Sequence, residues 1–186
     1  MIRTRVGYAG GTTASPAYRD LGDHAESIEI GFDPARISYE DLLAVFWESH
    51  TPEVKPWKRQ YMSAVFCFDD SQCLTARETL QRRVSLTGIR VHTQILTTGG
   101  FHQAEDYHQK YYLRRHGLLM RELARIYPDR DRLLGSTAAA RLNGYTSGLG
   151  SLEMLEREIH MLGLSPAGRE ELLGVIESHA MYELMR

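Results

Sequence analysis

Residues 25–32 read Ala-Glu-Ser-Ile-Glu-Ile-Gly-Phe, and their alternation sets the fold class. Glu26, Ile28, Ile30 and Phe32 share one parity, while Ser27, Glu29 and Gly31 share the other. That is the period of a strand with one covered face. Asp33-Pro34 ends the run. Ser38 then stands as N-cap of a helix running to about Ser49, with Asp41 three positions on and Leu42, Leu43 and Phe46 as its apolar stripe. Before this pair of elements, residues 2–8 form a short strand with Ile2, Thr4, Val6 and Tyr8 on one face. A loop rich in Gly, Thr, Ser and Pro follows from Ala9 to about Asp23. After the pair, Pro52 and Pro56 make residues 51–60 a loop. Met62 to Phe68 is a strand, 71–86 a helix broken by Gly88, and Val91 to Thr97 another strand. The order β, β-α-β-α-β is an α+β pattern. From Ala104 the spacing predicts helices at about 104–115, 117–126, 136–142, 151–162 and 166–185, the last opened by Ser165-Pro166. We assign an α/β core to 1–115 and a helical C-terminal extension to 116–186, the change of character falling between Arg115 and Ser136.

With 42% apolar and 25% charged residues in 186, the composition is that of a soluble globular chain with a sizeable core. A net charge of −2 supplies no field to draw the chain to nucleic acid or anionic lipid. No apolar run approaches the roughly 18 residues of a membrane helix. The opening MIRTRVGYAGG has no apolar region of signal-peptide type. Two cysteines, Cys67 and Cys73, are too few for a disulfide framework, so the expected compartment is a reducing cytoplasm.

Several short segments, in order, carry a resemblance. They are Gly7-Tyr8-Ala9-Gly10-Gly11, Pro16-Ala17-Tyr18, His24-Ala25-Glu26, Asp33-Pro34 with Ile37 to Leu43, Phe46-Trp47-Glu48-Ser49-His50, Arg59-Gln60-Tyr61-Met62-Ser63-Ala64, and Ala104-Glu105-Asp106-Tyr107-His108-Gln109. Together they resemble the peptide-methionine (S)-S-oxide reductase family. Asn143-Gly144-Tyr145 with Ser147-Gly148 is similar to a C-terminal extension of one branch. The resemblance implies a two-layer sandwich with a ferredoxin-like core, and an activity that reduces methionine S-sulfoxide, peptide-bound or free, in protein repair. A cysteine thiolate attacks the sulfoxide sulfur, a carboxylic acid and tyrosine hydroxyls protonate the departing oxygen, and thiols recycle the sulfenic acid. Glu26, Tyr18 and Tyr61 match the acid and the tyrosines. Tyr8, His24, Asp106 and His108 match substrate-binding positions. No cofactor is implied beyond an external thiol reductant such as thioredoxin or glutaredoxin, and the partners implied are oxidised proteins or methionine sulfoxide together with that reductant.

Strand parity gives Glu26 separate support, because a carboxyl on an apolar face is desolvated and its pKa rises toward a general acid's range. The same residue reads equally as a solvated carboxylate at a frayed strand end, or as a partner of Arg19. Tyr18 and Tyr61 read equally as half-buried tyrosines with hydroxyls at the surface. His24-x-Glu26 and Glu105-x-x-His108 have ligand-like spacings, but these are low-specificity patterns without a further Cys/His cluster, and we expect no metal. His108 is expected to pack, or to bond to backbone, near the substrate groove.

The family's nucleophile lies in a Gly-Cys-Phe-Trp segment upstream of Gly-Tyr-Ala-Gly-Gly, where a first strand ends and a first helix begins. Only residues 1–6 precede Gly7, so no residue matches the nucleophile. Cys67 and Cys73 read as structural thiols, with Cys73 in the first turn of a helix. The expectation is a protein that begins upstream of Met1. Without the central first strand and the first helix, two strand edges and an apolar slab are left open. Losing several buried side chains at about 1.5–3 kcal/mol each then exceeds a net stability of about 5–15 kcal/mol, so the chain alone is expected to be unstable. A non-catalytic module binding sulfoxide peptides or a partner protein is the alternative function.

Overall fold

The computed structural model describes residues 2–184. It divides into two compact units. One holds residues 6–105, and the other holds residues 2–5 together with the chain from Asp106 onward.

The first unit is a mixed α/β body. Strand β1 (Arg3–Ala9), whose first residues group with the other unit, lies between β2 (Ala25–Gly31) and β5 (Phe101–Gln103). β5 runs antiparallel to β1, with Gly7 opposite Gln103 and Tyr8 opposite His102. A side chain on Gly7 would strike the His102 carbonyl and the Phe101 ring. A second sheet pairs β3 (Ala64–Cys67) parallel to β4 (Gln94–Thr97). Thus β2 ends one sheet and β3 ends the other.

Helices α1 (Tyr39–Glu48) and α2 (Asp70–Thr87) begin where their caps dictate. Asp41 N–H donates to Ser38 Oγ at 3.1 Å, and Ser38 N–H donates back to Asp41 Oδ2 at 3.0 Å, closing the predicted capping box. Asp69 accepts from Gln72 N–H at 2.8 Å to start α2, and Gly88 ends it at φ 67°. The helices pack through Leu43, Trp47, Cys73 and Ala76, with Cys67 of β3 completing this core. Trp47 donates its indole N–H to Thr79 Oγ1 at 3.1 Å, which satisfies a polar atom that burial would otherwise penalise.

The second unit contains α3 (Gly117–Ile126), α4 (Arg130–Leu134), α5 (Thr137–Thr146), α6 (Leu152–Glu158) and α7 (Pro166–Leu184). Leu113, Leu119, Leu123, Leu142, Leu155 and Leu172 are fully buried at its centre. Glu158 accepts from the Tyr145 hydroxyl at 2.5 Å and pairs with Arg141, so this buried acid is fully engaged; burial and the carboxylate together push the Tyr145 phenol pKa up. Ser165 N–H donates to Glu122 Oε2 at 2.9 Å ahead of α7.

The expected helix over 104–115 does not form. Its place is taken by two 3-10 turns, Asp106–His108 and Leu113–Arg115. Between them Lys110 adopts φ 51°, a left-handed conformation that an α-helix excludes. The buried Lys110 amine donates to Thr4 O at 2.5 Å and to Thr4 Oγ1 at 2.9 Å, and desolvation lowers its pKa to about 8. The strand expected over 91–97 shortens to 94–97, since His92 N–H is spent on Pro52 O at 2.7 Å.

Leu119→Ala empties a fully buried position and should cost about 2–5 kcal/mol in urea denaturation. Leu149→Ala, at a position 70% exposed, should stay within about 0.5 kcal/mol of the parent.

Candidate functional site

Arg59 opens a 3-10 turn, Arg59–Tyr61, and anchors it. Its Nε donates to Asp23 O at 2.5 Å and its Nη2 to Gly10 O at 2.8 Å, so one guanidinium joins this turn to both ends of the 10–24 loop. Inside that loop the Asp23 carboxylate accepts from the Thr12 and Thr13 N–H groups at 2.7 and 3.3 Å. These bonds hold the Asp23 pKa at about 2. His24 is 2% exposed and spans the same loop: Gly11 N–H donates to its Nδ1 at 3.2 Å, and Nε2 lies 2.8 Å from Thr13 O. The neutral tautomer with the proton on Nε2 satisfies both contacts.

The next residue in the turn, Gln60, donates its side-chain amide to Glu26 Oε1 at 2.8 Å. Tyr61 follows, and Glu26 and Tyr61 both line a cavity of about 660 Å³. Consecutive residues 26–30 and 62–66 line this space. Successive strand residues point to opposite faces, so a cavity bordered by all of them meets strand edges as well as a face. Leu42, Leu43 and Phe46 of α1 supply an apolar wall, and Phe32, Phe66 and Phe68 add to it. The parity argument expected Glu26 on a covered face. Here Glu26 is exposed and Ile28 is 58% exposed, because that side of β2 looks into the open cavity.

Tyr8 and Tyr18 are placed around Glu105, which the sequence offered only as half of a ligand-like spacing with His108. Tyr8 is 2% exposed and donates its hydroxyl to Glu105 Oε2 at 2.6 Å; Tyr18 N–H donates to Glu105 Oε1 at 3.0 Å. Tyr18 itself is 44% exposed and is not among the cavity's lining residues. The structure therefore brings Glu26 and Tyr61 to one cavity, and gathers Tyr8 and Tyr18 on a second carboxylate. In the other unit, Asp106 pairs with Arg130 at 3.0 Å, and the His108 ring lies 4.2 Å from the Tyr107 ring. Gln60 and Glu105 both stand inside the quoted motifs, Gln60 without a role and Glu105 only in a ligand-like spacing. Trp57, which also lines the cavity, belongs to no motif and left no signal in the sequence.

Cys67 and Cys73 are 0% and 3% exposed, lie in the α1–α2 core and do not line the cavity. Burial, with the Cys73 side chain in hydrogen-bond contact, pushes the Cys67 thiol up to about 12. Among the described residues, no three or more His, Cys, Asp or Glu side chains group as metal ligands, and no helix is long and apolar enough to cross a membrane.

Small sheets flanked by helices make this a mixed α/β protein with the fold of a reduced-form Mxr1 from Saccharomyces cerevisiae. The two superpose with a TM-score of 0.57 over 61% of this chain and 71% of that one, at 23% identity. Sequence comparison gives the family: the pattern of peptide methionine sulfoxide reductases matches residues 1–140. A Drosophila melanogaster peptide methionine sulfoxide reductase is 38% identical over 91% of this chain, and an Oryza sativa peptide methionine sulfoxide reductase A5 is 40% identical over 81%. The chain belongs to the peptide methionine sulfoxide reductase family. It spans 69% of the length of the Drosophila relative and 61% of the rice one.

The Asp23 bonds predict an acid transition in the loop. Because the fold holds this pKa below its ordinary 3.8, the ionised form contributes order that is complete above pH 3.8 and vanishes as pH falls through about 2. The Thr12 and Thr13 amide resonances should titrate in that window, and Asp23→Asn should remove the titration.

Proposed function

We propose that this protein reduces methionine S-sulfoxide, peptide-bound or free, to methionine, with Glu26 and Tyr61 acting on the sulfoxide oxygen. The observation that carries the reading is that this carboxyl and this phenol line one largely apolar cavity, with Gln60 holding the carboxylate at 2.8 Å. In an apolar surround a donated hydrogen bond gains strength, and the S=O oxygen becomes basic as the sulfur is attacked. A cysteine thiolate forms the new bond to the sulfoxide sulfur. Glu26 delivers a proton to the oxygen, with the Tyr61 hydroxyl donating to it; Tyr18, which the family resemblance placed beside them, lies off this cavity and takes no part. The protonated oxygen then passes from the methionine sulfur to the cysteine sulfur as the bond between the two sulfurs breaks, so methionine leaves and the cysteine becomes sulfenic acid. Two thiols of an external reductant of the thioredoxin or glutaredoxin class then return it to the thiol, releasing water and forming their own disulfide. Tyr8 and His24 take supporting roles in substrate binding, by fixing the chain on either side of Gly10-Gly11. A reducing cytoplasm suits both this reductant and two free cysteines.

The attacking sulfur is assigned to a Gly-Cys-Phe-Trp segment outside residues 1–186, since Cys67 and Cys73 lie off the cavity in a packed core. That same placement favours a second reading, a non-catalytic module that holds sulfoxide peptides or a partner protein. Incubation with N-acetyl-methionine S-sulfoxide and dithiothreitol separates the two. Residues 1–186 should give no methionine, and the chain extended by the upstream segment should turn over. In that longer protein Glu26→Gln should lower kcat by about 10²–10⁴. Binding without turnover by both forms would establish the second reading. Turnover by residues 1–186 that Cys67→Ser or Cys73→Ser abolishes would overturn the assignment of the nucleophile.

A further inference from the structure

Loop 51–58 is fixed at its stem. Pro52 is fully buried and its carbonyl accepts from His92 N–H at 2.7 Å. Glu53 pairs with Arg83 at 2.8 Å in a half-buried contact, and Arg83 donates again to Trp47 O at 3.3 Å. The tip of this anchored loop carries two large apolar side chains into solvent, Val54 at 65% exposure and Trp57 at 74%. Trp57 is not loose. Its ring centroid lies 5.3 Å from that of Tyr61, and Lys58 Nζ sits 4.7 Å from the indole centroid. An anchored loop holding an exposed indole beside the Tyr61 phenol resembles a recognition element, because aromatic anchors of this kind concentrate binding energy at little entropic cost. The charges at the tip are of one sign, with exposed Lys55 and Lys58 flanking Trp57, while Glu26 and Glu29 stand on the β2 side of the same cavity.

We propose that Trp57 is a substrate-contacting residue, and that the Val54–Lys58 tip selects peptides in which the oxidised methionine is flanked by acidic residues. The indole covers the side chain next to the sulfoxide, and Lys55 and Lys58 receive the flanking carboxylates. This rests on the proposed reduction site at Glu26 and Tyr61 and names the substrate class that site takes.

Isothermal titration of the chain extended by the upstream segment, with that segment's cysteine replaced by serine, tests it with four synthetic ligands: acetyl-Asp-Asp-Met(O)-Ala-amide, its unoxidised form, the oxidised peptide with two lysines for the aspartates, and N-acetyl-methionine sulfoxide, which is too short to reach the tip. The acidic peptide should bind roughly tenfold more tightly than the basic one at low salt, and the preference should shrink as salt rises. Trp57→Ala should weaken the acidic peptide roughly tenfold more than it weakens N-acetyl-methionine sulfoxide, with the thermal midpoint unchanged. Lys55→Glu with Lys58→Glu should reverse the charge preference. Equal affinity of the parent and Trp57→Ala for the acidic peptide overturns the role of Trp57 while sparing the reduction site. Equal binding of the oxidised and unoxidised acidic peptides, still sensitive to Trp57→Ala, upholds the tip and instead sinks the sulfoxide reading. If no ligand binds at all, both fall.

Discussion

Arg59 makes two bonds on which the arrangement of the site depends. By donating to the carbonyls of Gly10 and Asp23, it ties a three-residue turn to a long loop that has little core of its own. Glycines and hydroxyl residues dominate that loop, so its shape comes from polar bonds instead of burial. Asp23 and His24 close it from inside, and Arg59 fastens it from outside. Once the turn is held there, Gln60 falls onto Glu26 and Tyr61 falls onto the cavity, because the residues are consecutive and a 3-10 turn leaves little freedom between them. One guanidinium thereby positions groups that it never touches.

Much of the first unit was legible. Ser38 with Asp41 announced α1, and both members of the capping box form as read. The Gly88 stop and the 117–126 helix also stand where the spacing placed them. Strand β5 was missed because three residues after Gly99-Gly100 are too short to show a period. The 104–115 segment looked helical from its polar and aromatic spacing. What defeats that reading is tertiary: the Lys110 amine reaches Thr4, and the backbone turns left-handed to deliver it. A contact across more than a hundred positions leaves no trace in a local window.

The site was legible only in part. Alternation put Glu26 and Ile28 on one side of β2 correctly, but the step from apolar face to buried face assumed a partner layer. That side borders an open cavity, so Ile28 stays 58% exposed. Glu105 shows the opposite error. Its only sequence signal was a ligand-like spacing to His108, yet its two oxygens collect the Tyr8 hydroxyl and the Tyr18 amide from far along the chain.

The state of Cys67 bears on how the protein would endure oxidising conditions. Sulfur reacts with peroxides as the thiolate, and a thiol pushed to about 12 and wholly enclosed offers almost none near neutrality. Such a sulfur is quiet filler beside Trp47 and Leu43. Alkylating or peroxide probes would consequently draw little reaction from Cys67 while the core stays closed.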